Sequence, residues 1–222
     1  MKKSVVLSWS GGKDSALALD ALSRDPDSEV VGLLTSITRD YDRVSVHGVR
    51  RSMLEAQVAR LGLPLFEISL ARDASNDSYE AAFLAALGEL RKELPHVRHI
   101  AFGDLFLEDV RAYRERLLAG TGFEPLFPLW GFDTSELARR FIEDGFAAHL
   151  VCVDTTQLGA DFVGRPFDHA LLADLPPTVD PCGERGEFHT FVSAGPPFKE
   201  GVPYTIGTRV LRDSRFMYCD IE

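Results

Sequence analysis

Six residues, Ser10-Gly11-Gly12-Lys13-Asp14-Ser15, follow directly on the apolar run Val5-Val6-Leu7 and lead into Ala16-Leu17-Ala18-Leu19-Asp20-Ala21-Leu22. An apolar strand, a two-glycine turn, a lysine and an amphipathic helix in this order leave few folds open. A helix start offers unpaired backbone N–H groups and the positive end of the helix dipole, and so draws anions. Gly11 and Gly12 carry no Cβ and let the backbone approach a ligand, while Lys13 adds a full positive charge. The stretch predicts a phosphate site at the head of the first helix, with the rest of the chain arranged around it.

Two familiar phosphate loops do not fit. A Walker A loop has four residues between its glycines and Lys next to Ser or Thr; here the glycines are adjacent and Asp14 follows Lys13. The dinucleotide pattern G-x-G-x-x-G is absent as well. The stretch resembles the S-G-G-K-D-S PP-loop of the ATP pyrophosphatase superfamily. That resemblance implies cleavage of ATP between its α- and β-phosphates, with AMP passed to the substrate.

The chain has 222 residues, 45% hydrophobic and 26% charged, enough for one large domain or two modest ones. No apolar run approaches the ~20 residues that span a bilayer. The three cysteines, Cys152, Cys182 and Cys219, form no C-x-x-C pair, which argues against structural zinc and a disulfide framework. A signal peptide would be removed together with the phosphate loop, so the expected location is cytoplasmic, with no membrane partner. The net charge of −10 and the lack of a basic tract speak against nucleic acid as a partner. Arg111, Arg114 and Arg116 alternate with Glu108, Asp109 and Glu115 and read as a solvated helix face.

Strands are expected at Ser4–Trp9, Glu29–Ser36, Leu65–Ser69 and His99–Phe102, with helices at Lys13–Ser23, Val49–Leu61, Asp77–Glu93 and Asp109–Ala119. Such alternation predicts an α/β fold whose parallel sheet is covered by helices, with ligands at the C-terminal ends of the strands. Gly120, Gly122, Pro125 and Pro128 interrupt the pattern. The expected division is a nucleotide-binding domain over 1–125 and a smaller α+β substrate domain over 126–222. In the latter, a helix at Thr134–Asp144, a strand at Ala147–Asp154 and a hairpin of Tyr204–Leu211 with Phe216–Ile221 are expected.

A second constellation is Cys182-Gly183-Glu184-Arg185-Gly186-Glu187-Phe188-His189-Thr190. Two glutamates, each preceded by glycine, sit ahead of the strand-like Phe188–Val192. Paired carboxylates bind Mg²⁺, grip an ammonium ion or act as a general base; a turn of solvated glutamates has the same spacing. The pattern G-E-x-G-E-[FY]-x-T with Gly195-Pro196-Pro197-Phe198 resembles the diphthine–ammonia ligase family, a branch of the same superfamily. Leu61–Leu65, Gly103-Asp104, Pro128-Leu129-Trp130, Gly145-Phe146 and Phe162–Asp168 extend the likeness, and the segment after Asp104 has a bacterial-type look.

The resemblance implies a nucleotide-binding domain of the HUP, or adenine nucleotide alpha hydrolase-like, type. It also implies an ATP-dependent, AMP-forming ligase that adenylates a carboxylate and amidates it with ammonia, in the diphthine-to-diphthamide manner. ATP and Mg²⁺ are then the expected cofactors, ammonium a substrate, and an elongation-factor side chain the acceptor. Phosphates fall to Lys13, the amides of Gly11, Gly12, Asp14 and Ser15, and the hydroxyls of Ser8 and Ser10. Thr35 flanks the adenine, His47 and Gly103 face the nucleotide, and Asp104 holds the metal. Lys13, Glu184 and Glu187 are the expected catalytic groups, the glutamates for capturing or deprotonating ammonium. Two other functions remain open on the residues alone: adenylation of a different acceptor, such as a tRNA base, and a non-catalytic ATP- or AMP-binding module.

Overall fold

The computed structural model describes residues 2–222. Strand β1 (Lys3–Ser8) leads through the glycine turn into helix α1 (Lys13–Arg24), then β2 (Ser28–Thr38), a short β3 (Arg43–Val44) and α2 (Arg51–Leu61). β4 (Leu65–Leu70), α3 (Asn76–Glu93), β5 (His99–Ala101), α4 (Glu108–Leu118) and β6 (Glu124–Leu126) follow. The parallel strands lie in the order β4-β2-β1-β5-β6, and β3 runs antiparallel beside the end of β2. The order of strands reverses between β1 and β5, and at such a switch point the two following loops diverge and open a crevice.

Alternation along β1 builds two apolar layers. Val6 faces α3 and α4 with Leu34, Phe66, Phe83, Leu90 and Ile100. Val5 and Leu7 face the other way, into a layer holding Leu17, Leu33 and Leu54. Helix ends follow local chemistry. Ser75 caps α3 by accepting the Ser78 N–H, and Gly62 ends α2 in the left-handed conformation.

Helix α5 (Thr134–Glu143), capped by Asp133, precedes β7 (Ala147–Asp154), α6 (His169–Asp174), β8 (Phe188–Ala194), β9 (Ile206–Arg212) and β10 (Phe216–Ile221). These strands form a second, antiparallel sheet in the order β8-β7-β10-β9. Asp213 and Ser214 both have positive φ, the tight turn that suits a hairpin's twist. The Leu17 layer continues into Phe141, Leu150, Val153, Phe188, Phe191 and Ile221, so one apolar core joins both sheets.

Two local expectations change. The helix expected from Val49 starts at Arg51, because Gly48 is left-handed and Arg50 extended. The segment around Pro125 is an edge strand of the first sheet, pairing Ile100 with Pro125 and Ala101 with Leu126. Proline lacks an N–H and fits such an edge. Among the described residues no helix is long and apolar enough to cross a membrane.

Candidate active site

A cavity of about 740 Å³ opens at the switch point, between the ends of β1, β2 and β5 and the start of β8. Its floor is the first turn of α1. The Ala16 N–H reaches the Gly12 carbonyl at 3.1 Å and starts the helical ladder, leaving the amides of Asp14 and Ser15 at the open helix end. Lys13 is 2% exposed, with Nζ donating to both Asp14 carboxylate oxygens at 2.8 and 2.9 Å. Burial works against the Lys13 charge, but the Asp14 carboxylate outweighs it with Glu184 a smaller contributor, and the lysine pKa is raised. Burial pulls Asp14 upward and Lys13 pulls it down. With 31% of that side chain exposed, solvent weakens the burial contribution, and the pair is ionic.

The two glycines have a packing role besides the one expected. A Cβ on Gly11, whose φ is +77°, would lie 2.6 Å from Gln57 Oε1; on Gly12 it would lie 2.8 Å from His47 Cε1. Both positions are closed by protein, and neither lines the cavity. The Gly12 N–H is taken by Ser10 Oγ at 3.2 Å, so it is not a phosphate donor in this arrangement. The reason is the free edge of β8, along which the loop lies almost as another strand. Val192 N–H donates to the Gly11 carbonyl at 2.9 Å, and Lys13 N–H donates to Thr190 Oγ1 at 3.0 Å. Fully buried Gln57 completes the seam. Its Nε2 donates to Gly11 O at 3.0 Å and Val192 O at 2.6 Å, while its Oε1 accepts from Trp9 Nε1 at 3.3 Å.

Ser8, Ser10 and Thr35 line the wall. Thr35 is 2% exposed and its Oγ1 has no hydrogen-bond partner among the described residues. His47 also lines the cavity, its ring centroid 4.6 Å from that of His189. Its Nδ1–H donates to the Thr190 carbonyl at 3.2 Å, which leaves Nε2 as an acceptor. Burial, with Lys13 adding, pushes His47 down to about 4 against the pull of that carbonyl, and pushes His189 well below its ordinary value. Both rings are neutral near pH 7. Gly103 packs on the helix start, where a Cβ would lie 3.0 Å from the Asp14 carbonyl carbon.

The two glutamates part company. Glu184 lines the cavity and accepts the Leu105 N–H at 2.7 Å. Burial, with the Asp14 and Asp104 carboxylates adding, raises it to about 7 against the Leu105 hydrogen bond and Lys13. Glu187 is 1% exposed and turned into its own loop, where it accepts from Asp180 N–H at 2.9 Å and Arg185 N–H at 3.0 Å. Asp180 accepts from Cys182 N–H and from Thr134 Oγ1. Glu187 therefore braces the loop that presents Glu184 and does not share the cavity with it.

Asp104 stands opposite, its Oδ2 3.5 Å from Arg114 Nε, with burial raising its pKa against the Arg114 charge. Arg114 is not the solvated residue its sequence neighbourhood suggests. It lines the cavity, stacks 4.9 Å from the Phe102 ring and donates to Tyr79 Oη at 3.3 Å.

Residues 1–125 match the diphthamide synthase N-terminal domain, and residues 133–221 match the diphthamide synthase C-terminal domain. The chain belongs to the diphthamide synthase family. It is 27% identical to a Danio rerio protein named diphthine–ammonia ligase over 213 residues, covering 87% of this chain and 83% of the relative. A Bos taurus protein of the same name is 29% identical over 135 residues, 59% of this chain. The chain covers 48% of the length of that bovine relative.

In this diphthamide synthase fold, several cavity and seam residues escape a reading of the sequence. Gln57 gives a signal, since a polar residue stands three and four places after Leu54 and Met53 on the buried face of α2. Thr190 closes the G-E-x-G-E motif but has no role until β8 meets the loop. Arg114 and Tyr79 give none, because they converge only when α3 and α4 pack side by side.

Proposed function

We propose that this diphthamide synthase family member is a cytoplasmic ATP-dependent ligase that adenylates a carboxylate and amidates it with ammonia. The observation that carries the reading is Lys13 and the α1 helix end sharing one cavity with Glu184, whose pKa lies near 7. Adenylation brings a carboxylate oxygen onto the α-phosphorus, anion against anion, while the bond to the pyrophosphate oxygen breaks. Fixed positive charge and N–H donors lower that barrier most. Lys13, the amides of Asp14 and Ser15, and the Ser8 and Ser10 hydroxyls supply them. Thr35 Oγ1 and the neutral His47 Nε2 orient the nucleoside side.

A hard oxygen donor for Mg²⁺ is present in Asp104, whose Oδ2 has no hydrogen-bond partner among the described residues. No group of three His, Cys, Asp or Glu able to hold a metal occurs among those residues. Asp104 together with the substrate's phosphates would hold the ion, which would neutralise phosphate charge. In the second half-reaction Glu184 takes a proton from ammonium. The nitrogen then bonds to the acyl carbon, the carbon–oxygen bond to AMP breaks, and the new amide nitrogen releases its extra proton to solvent. The acceptor we propose is a diphthine side chain on a translation elongation factor.

The test measures pyrophosphate release from ATP and ammonium with and without a diphthine-bearing elongation factor. Wild type is expected to release pyrophosphate only with the acceptor. Lys13→Ala should lower the rate by about 100-fold or more while circular dichroism stays unchanged. Nucleotide binding without acceptor-dependent pyrophosphate would overturn the reading.

A further inference from the structure

We infer that Asp220, on the last strand of the second sheet, is a positioning residue for the cavity. Through Arg43 and Arg50 it holds the loop that carries His47. The activity side of this inference rests on the nucleotide reading above; its geometric side does not. Arg43 and Arg50 face each other across the neck of the loop, bridged by their backbones, with Val44 N–H donating to Val49 O at 2.8 Å. Two guanidinium groups so placed repel unless an anion lies between them. Asp220 is the anion that touches both: Oδ1 accepts from Arg43 Nη1 at 2.8 Å and Oδ2 from Arg50 Nε at 3.0 Å, while Glu222 Oε1 accepts from Arg50 Nη2 alone at 2.6 Å. Its side chain is 13% exposed, and the two arginines, against burial, bring its carboxyl down to about 2.

The loop needs holding. Val46 is β-branched, yet its φ is +67°, a region such residues avoid. The turn doubles back at once, with His47 N–H donating to Ser45 O at 2.8 Å. Arg43 reaches inside it, donating from Nη1 to Gly48 O at 2.7 Å. Tyr218, two residues before Asp220, packs on the loop at Gly48. Its ring lies 2.7 Å from where a Gly48 Cβ would stand, and its hydroxyl donates to Val46 O at 3.3 Å. The far end of the chain thus decides where His47 stands against His189 and Thr190.

The test is Asp220→Asn, which keeps the shape and removes the charge, read by amide hydrogen exchange and by calorimetric binding of a non-hydrolysable ATP analogue. Exchange at Ser45 and Gly48 should accelerate by about tenfold or more while α1 and β1 stay protected. Analogue affinity should weaken by about threefold to tenfold, with Arg50→Lys falling between wild type and Asp220→Asn. Unchanged exchange across the loop overturns the inference. So does faster exchange with unchanged analogue affinity. If wild type binds no analogue, the nucleotide reading falls, and loop exchange alone decides the clamp. Should Asp220→Asn not fold, Arg43→Lys puts the same question through the opposite partner.

Discussion

Glu184→Gln tests how the cavity tunes its carboxylate, and it needs no knowledge of the acceptor. Burial raises Glu184 from 4.5 to about 7. A raised acid binds its proton more tightly in the folded state than in the unfolded one. The stability it adds is fully present below about pH 4.5 and is lost as pH rises through about 7. Taken at face value, that interval is worth about 3 kcal/mol between its two ends. Glu184 is only partly buried, however, and solvent screens it, so about 1–2 kcal/mol is the expected size. Glutamine keeps an acceptor for the Leu105 N–H and does not titrate. Urea unfolding at about pH 5 and about pH 8 should show wild type losing about 1–2 kcal/mol more than Glu184→Gln over that range. Parallel stability profiles for the two proteins would refute the shift, and with it the argument that Glu184 is poised to exchange a proton near neutrality.

Two further changes probe the seam and the cavity wall. Gln57→Leu keeps most of the volume but leaves the Val192 carbonyl and the Trp9 indole N–H without their partner, at about 1–3 kcal/mol each. A stability loss of about 2–4 kcal/mol in denaturant unfolding is expected, and a loss below about 1 kcal/mol would show that the seam is loose. Arg114→Ala removes the guanidinium beside Asp104 and is expected to slow pyrophosphate release by about tenfold to 100-fold, with little rescue by Arg114→Lys, which cannot stack on Phe102. Full activity in both Arg114 variants would remove this residue from the mechanism.

The loop ahead of α1 was legible because every part of it is local. Strand, turn, lysine and helix are contiguous, and a helix end presents its amides whatever else packs around it. The parallel sheet was legible for a similar reason, since alternating strands and helices bury their faces in few ways. From the sequence alone it follows that Lys13 stands at a helix start, at the C-terminal ends of a parallel sheet.

Tertiary structure decided the rest. Glu184 and Glu187 stand three residues apart in similar surroundings, and only the folded loop, braced from Asp180, turns one outward and the other in. Gly11 and Gly12 look like ligand contacts until Gln57, from the second helix, and His47 fill the space beside them. Arg114 reads as solvated until Phe102 and Asp104 lie under it. Asp220 finds Arg43 and Arg50 across 170 to 177 residues. Hydrogen bonds and close contacts of this kind depend on where an atom points to within about an ångström, and spacing along a chain carries no such information until both sheets share one core.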